Sequence, residues 1–498
     1  AGKKVVVLEA RDQVGGMAST TEFVSGFQCN VINDMVKWID PRVMKQLNLE
    51  SHGLELHSPD IVRIALDTQG QHIVFHRDPN ETVGSIANHS EKDAKVWIAF
   101  TEYIDNLTRF LEKLYELTPP KLPNIGLKEA FSMRSMLSPI RKHGTRGLVD
   151  FMRVAPMMMP ELVDEWFENE LLRAAISTAG IHHLSFGPFA ATTGLNLLHQ
   201  HVQGNGVFHN AHFVKGGTGE LTNAVKLSAK SANVEIRNSS KVTCINVENG
   251  ICSGVSFESG ESIQADQIVS GLDPNNTFIN LVGPSKLNPS FATQLRNIKY
   301  RGSSARIHFA LKTLPKINGI SEDQMGTVFS ASHSIEYLER TSDSVKYGRL
   351  GENPYVEFNI PSILNPDFAP NGKHVLSATV QYAPYHLREM NWTEELKEQM
   401  KNNVVHVLED YCPGFSSTIE SSSVLSPVDL ESQFGLTEGN LNHGEMTLDQ
   451  FFFMRPTMSA AQYKSPIENL YLCGPGTHPG GGLHGTNGFN AAHEILKQ

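Results

Sequence analysis

The sequence predicts an α/β fold in which a parallel-sheet domain, built from both ends of the chain, is interrupted by an inserted α+β domain. Three observations carry that expectation. Lys4-Val5-Val6-Val7-Leu8-Glu9 is a short β-branched run ending in an acid, the pattern of a buried parallel strand, and it leads into Gly15-Gly16-Met17. At the other end, Asn469 to Cys473 reads as a second buried strand, followed by a loop with six glycines between Gly474 and Gly485 and a helix over 486–496. Between these ends the pattern switches to short strands and long amphipathic helices.

The bulk numbers set the limits. A chain of 498 residues exceeds one hydrophobic core, so two or three domains are expected. With 42 Lys+Arg against 53 Asp+Glu the net charge is −11, and there is no basic tract, which argues against nucleic acid as a partner. The five cysteines (Cys29, Cys244, Cys252, Cys412, Cys473) never fall in CxxC spacing, which disfavours a disulfide scaffold, a zinc site or a dithiol redox centre and fits a reducing compartment. No apolar run approaches the ~18 residues of a membrane span.

Taken in order, Ile61–Leu66 and His72–Phe75 read as strands. Val96, Phe100, Tyr103, Ile104, Leu107, Phe110, Leu111 and Leu114 then mark a long helix with a net acidic outer face, which reads as packed on its own domain. Pro119-Pro120-Lys121-Leu122-Pro123 breaks it, and a second helical block runs from about Leu148 to Thr178, interrupted at Pro156 and Pro160. Met157-Met158-Met159 suits either core or the wall of a greasy channel. Six histidines lie between His182 and His212, with no carboxylate at HExxH-type spacing, so no metal site is expected; they read as solvated or core residues. Gly216-Gly217-Thr218-Gly219 opens a helix to about Ser231, and the strand 234–237 follows. Runs 241–247 and 254–257, joined through Glu248-Asn249-Gly250, form an antiparallel meander, and 262–270 reads as one further strand entering the sheet. Strands at 306–311, 355–360 and 374–382 and a helix from Thr393 to Tyr411 complete the insert.

Several separated stretches agree on a family. Leu8-Glu9-Ala10-Arg11 with Gly15-Gly16 resembles the ribose and pyrophosphate signature of the large FAD-dependent oxidoreductase superfamily, and Val214-Lys215-Gly216-Gly217-Thr218-Gly219-Glu220-Leu221 resembles the central motif of its phytoene desaturase-like branch. Ser426-Pro427-Val428-Asp429-Leu430-Glu431, Phe434-Gly435-Leu436, Gly439-Asn440, His443-Gly444, Leu448-Asp449-Gln450, Arg455-Pro456 and the closing glycine loop are similar to a narrower subgroup of that branch. The resemblance spans essentially the whole chain. It implies a Rossmann-like, glutathione-reductase-type FAD-binding domain over 1–60, 213–285 and 450–498, with a substrate or cap domain over 61–212 and 286–449. In such a fold a GxGxxG turn on the first strand precedes the acid by ~20 residues. That turn is not in this sequence, so weak FAD binding is expected of it.

The chemistry follows from the resemblance. FAD is the implied cofactor. Glu9 would accept from the ribose hydroxyls, with Arg11 beside it, and Gly15, Gly16 and Met17 would present backbone N–H groups to the pyrophosphate, where a Cβ would hold the chain away. Backbone near Val242 would contact the adenine. Gly474, Gly482, Leu483 and His484 would face the flavin ring, with N–H groups at the start of the last helix favouring negative charge there. His478 and His484 are the candidate catalytic acid/base groups, with loop packing as the alternative, and Asp449 could pair with Arg455. No GxSxG and no second nucleotide motif is present. The implied reaction is hydride transfer from an apolar, polyene or lipid-like substrate to flavin, with a quinone or oxygen taking the electrons. A redox-neutral, carotenoid-isomerase-like flavoprotein and a non-catalytic flavin-fold regulator of mitochondrial function are the alternatives. The implied compartment is the mitochondrial matrix in a eukaryote or the cytoplasm in a bacterium, and peripheral membrane contact stays open.

Overall fold

The computed structural model describes residues 2–121, 147–388 and 390–497. The proline break at 119–123 therefore lies partly outside the described residues.

The chain ends supply two parallel ladders. β1 (Val6–Leu8) pairs with β8 (Glu235–Arg237), and β12 (Ile268–Ser270) pairs with β18 (Leu470–Leu472). The second ladder is the drier one: all three residues of β18 are buried. Its other edge is also occupied, because the Leu472 N–H donates to the Tyr463 carbonyl at 2.8 Å and the Ser465 N–H to that of Leu470 at 3.0 Å. β9 (Val242–Glu248), β10 (Ile251–Phe257) and β11 (Ser262–Gln264) form the antiparallel meander. The single strand expected over 262–270 is two: β11 stays in the meander, while β12 leaves it to join β18.

The insert is organised by a seven-stranded mixed sheet in the order β17-β13-β16-β15-β14-β5-β6, formed by Ile419–Leu425, Ser304–Leu311, His374–Gln381, Val356–Asn359, Val328–Ala331, Ile61–Leu66 and His72–His76. All neighbours are antiparallel except β14 and β5. Every residue of β13 is buried although its sequence alternates, Ser304, Arg306 and His308 on one side with Ala305, Ile307 and Phe309 on the other. The edge strand β17, Ile-Glu-Ser-Ser-Ser-Val-Leu, has three serines in place of β-branched residues, and the sequence gives little sign of it. On one face the sheet packs the helix Glu394–Tyr411 through Met400, Val404, Val407 and Leu408. Thr393 caps that helix by accepting from the Leu396 N–H.

On the other side lies a helical layer. The helix Glu91–Tyr115 is opened by Ser90, whose hydroxyl accepts from the Asp93 N–H, and it buries Trp97, Phe100, Ile104, Leu107, Leu111 and Leu114 along one stripe. Buried Asp93 does a second job: it accepts from the Glu168 and Asn169 N–H groups at 3.1 and 2.8 Å, tying this helix to the start of the helix Glu170–Ile181. Met159 is fully buried in the same cluster, so that methionine is core.

The helix Pro289–Arg296 packs Phe291, Ala292 and Leu295 against Ile245, Val255 and Leu472. The segment to about residue 298 thus shares a core with the meander and β18, past the boundary expected at 285.

Candidate flavin site

At the end of β1 the backbone of Glu9 is held from both sides: its N–H donates to the Arg237 carbonyl at 2.9 Å and its carbonyl accepts from Ser240 at 2.8 Å. One carboxylate oxygen accepts from the Arg11 N–H at 2.9 Å, a local turn that fixes where the acid points. The Arg11 guanidinium lies over the Phe434 ring, 4.7 Å from its centre. Gly15 and Gly16 both adopt left-handed φ, +124° and +53°. A Cβ on Gly15 would sit 2.9 Å from the Thr222 hydroxyl, whereas among the described residues nothing lies within 4 Å of one on Gly16. That glycine pair is therefore tight below and open above, as a phosphate cradle requires. Met17 packs its side chain on Val31, Ile32, Leu430 and Leu436, leaving only its backbone for a ligand. Val242, half-buried, opens β9.

The Gly216–Gly219 motif is locked onto β2 (Thr20–Val24) and β3 (Phe27–Asn30). The Asn30 side-chain oxygen accepts from the Thr218 N–H at 2.9 Å, and Thr20 Oγ1 accepts from the Gly219 N–H at 3.0 Å. The helix Thr218–Ser231 thereby meets the Gly15 turn through Thr222. Through Leu221 and Ala224 it shares a cluster with Leu483 of the closing loop. One helix thus links the two ends of the chain.

The closing loop is wedged between residues 271–274 and 442–446. A Cβ on Gly474 would collide with the Gly271 carbonyl, on Gly480 with Met446 and on Gly481 with Asn442. Buried Arg455 clamps the same region by donating to the carbonyls of Asn442, Gly444, Glu445, Gln450 and Pro475. Asp449 is not its partner; that carboxylate pairs with Lys299 at 2.6 Å. Gly474→Ala is expected to displace the loop because the obstacle is backbone. Thermal denaturation and FAD titration should show lost stability together with weakened flavin affinity, and a variant losing affinity alone would contradict this.

Both candidate acid/base histidines are buried and hydrogen-bonded in the structure. The His484 ring stacks on Trp38 at 4.5 Å; Nε2 donates to the Gly481 carbonyl at 3.2 Å and Nδ1 accepts from the Thr486 N–H at 3.1 Å. Its two nitrogens are used within the loop, and burial pushes its pKa down to about 4. His478 donates from Nε2 to the Leu114 carbonyl at 3.0 Å inside a box of Tyr115, Phe451 and Phe452, and burial lowers it to about 3. Both are neutral architectural groups. The helix start is likewise partly spent internally: the Thr486 N–H goes to His484 and the Thr486 hydroxyl to Asp40 at 2.9 Å. What the loop presents outward is a glycine edge, since Gly482, Gly485 and Gly488 are exposed and among the described residues nothing lies within 4 Å of a Cβ on Gly488.

Behind the loop is a polar cluster that the sequence reading missed. Lys37, between buried Val36 and Trp38, donates to the Gln200 side-chain oxygen. Buried Arg63 donates to Glu357 at 2.5 Å, Thr178 at 3.1 Å and Tyr355 at 3.3 Å. Lys37, Gln200, Arg63, Thr178 and Glu357 border a cavity of about 30 Å³ together with His182 and His201. A lysine inside an apolar segment was the available signal. Of the histidine run, His199, His201 and His209 are buried, in keeping with the core alternative, and His199 holds the loop by donating from Nε2 to the Gly481 carbonyl at 2.9 Å. Among the described residues no histidine, cysteine or carboxylate group gathers as a metal site.

A turn that is open above paired left-handed glycines, an acid fixed at a strand end and a glycine edge at the closing helix define a nucleotide-cofactor oxidoreductase of the α/β class. The model of flavin-containing amine oxidoreductases matches residues 1–496, and the chain belongs to that family. It is 30% identical over 522 residues to pyridine nucleotide-disulfide oxidoreductase domain-containing protein 2 of Rattus norvegicus, covering 100% of this chain and 90% of that one. It is 23% identical to the lycopene-forming phytoene desaturase of Pseudescherichia vulneris, covering 97% and 92%. In fold it is similar to an oxidoreductase from Methanosarcina mazei, with a TM-score of 0.58 at 13% identity over 100% of this chain and 95% of that one. The protein is accordingly an FAD-dependent oxidoreductase. The residues present fit that cofactor at the Gly16 opening and at the glycine edge.

Proposed function

We propose that the chain oxidises an apolar, polyene or lipid-like molecule by transfer of hydride to FAD, with a quinone or oxygen as the final electron acceptor. One observation carries the apolar substrate: Trp38, Tyr115, Phe451 and Phe452 form an aromatic wall on the inner side of the glycine loop, packed around the uncharged rings of His478 and His484. Bound flavin supplies the two-electron acceptor. The chain's own residues position and insulate it. Glu9 and the Gly15–Gly16 turn would hold the ribose and pyrophosphate, backbone at Met17 and Val242 the neighbouring parts, and the edge at Gly482 the ring. The buried loop excludes water, which strengthens whatever dipoles face the reacting atoms. The name of the phytoene desaturase relative supports a polyene substrate. The ladders and meander support a discontinuous flavin domain over 1–60, 213–298 and 450–498.

The test is anaerobic titration of the FAD-loaded chain with polyene and terpenoid substrates while the flavin absorption is followed. Bleaching with formation of a new double bond is expected. Double-bond isomerisation without bleaching would replace this reading with the redox-neutral one, and bleaching by none of these substrates would end it.

A further inference from the structure

We propose that Lys37 and Gln200, beside the Arg63–Glu357 pair, form a carboxylate-binding subsite, so that the substrate of the flavin site is an apolar molecule ending in a carboxylate rather than a plain hydrocarbon. This rests on the oxidoreductase reading above and narrows its substrate class. Charge counting motivates it. Arg63 and Glu357 cancel each other at 2.5 Å, and Tyr355 and Thr178 complete the partners of the Arg63 terminal nitrogen. Among the described residues Lys37 has only the neutral Gln200 oxygen as a hydrogen-bond acceptor, so one positive charge faces the cavity with no described anion in contact. Arg63 Nε is buried with no partner. A hydrocarbon site has no use for such groups, because an uncompensated interior charge is costly until an anion joins it.

The titratable groups facing Lys37 are Glu357 on β15 and Arg63 on β5, either side of β14, His182 and His183 after the helix Glu170–Ile181, and His199 and His201 near the end of the helix Thr193–Gln200. Burial keeps the histidines neutral, His183 near 4 and His199 and His201 near 3, so none adds a second positive charge beside Lys37. Burial also lowers the Lys37 ammonium to about 8, against the pull of Glu357. Location supplies the link to the reaction. Trp38, next to Lys37, stacks on His484, and His199, next to Gln200, donates to the Gly481 carbonyl. The cavity therefore lies directly behind the loop that faces the flavin. Its volume of about 30 Å³ suits a small head group, not a chain.

Calorimetric titration of the full chain with decanoate, decanol and acetate tests this without requiring turnover. Decanoate is expected to bind about tenfold or more tightly than decanol near pH 7, the margin of a charged hydrogen bond. The preference should fall as the pH rises past about 8, where Lys37 loses its proton. Lys37→Met should abolish the preference while decanol binding persists, and Gln200→Glu, which places a carboxylate against Lys37, should do the same if the first variant fails to fold. Equal binding of acid and alcohol, or acetate binding as tightly as decanoate, overturns the proposal. If the FAD-loaded chain oxidises hydrocarbons yet shows no acid preference, the subsite falls and the oxidoreductase reading stands. A Lys37-dependent acid preference with no flavin reduction by any polyene reverses that outcome.

Discussion

Lowering the pH from about 7 to about 5.5 is expected to remove several kcal/mol of stability from this protein, on the order of the whole stability of an ordinary domain. The cause is four buried histidines, each at most 6% exposed: His199, His201, His478 and His484. Burial lowers their pKa to about 3, 3, 3 and 4 in the fold, against the ordinary 6.5. The unfolded chain therefore takes up protons below about pH 6.5 that the native chain refuses. Stability is complete above that pH and declines as pH falls toward the native values, by ~1.4 kcal/mol per unit for each group. Urea unfolding at the two pH values measures it. Three of the four pack around the glycine loop, so loop opening should precede global unfolding and be visible as early quenching or release of Trp38 fluorescence. A midpoint that does not move between pH 7 and 5.5 would falsify the assignment of these rings as neutral.

Arg455→Met is expected to cost about 3–5 kcal/mol and to abolish flavin retention. The guanidinium serves five backbone carbonyls from three separate turns, and methionine fills the volume without satisfying any of them. Burial lowers the Arg455 pKa only to about 10, so the group is cationic at any physiological pH. Lysine should recover only part of the loss, because an ammonium has at most three donors and lacks the planar fork. Thermal denaturation with limited proteolysis of the loop reads the effect; a loss under about 1 kcal/mol would mean the carbonyls find water instead.

What the sequence disclosed divides along physical lines. Backbone features were legible, because glycines with left-handed φ at 15, 16, 482 and 485 and β-branched runs such as Lys4–Glu9 carry their own signal. Side-chain roles were not. Whether His478 is an acid or a packed ring depends on Leu114, Tyr115 and Phe452, brought to it only by folding. Lys37, Arg63 and Glu357 lie far apart in the chain, and nothing local distinguishes them from surface charges except the apolar neighbours of Lys37. The split of 262–270 into β11 and β12 is likewise decided by β18, a partner supplied by the far end of the chain.

That last pairing bears on biosynthesis. β12 cannot find its ladder partner until Leu470–Leu472 has left the ribosome, after every strand of the seven-stranded sheet, which ends with Leu425, has already been made. The insert can collapse on its own contacts during translation, while Ile268–Ser270 waits as an open edge. Val269, still 45% exposed in the finished fold, is the residue a nascent-chain chaperone would meet during that wait. The β12–β18 ladder is thus closed only after the insert's sheet has been made.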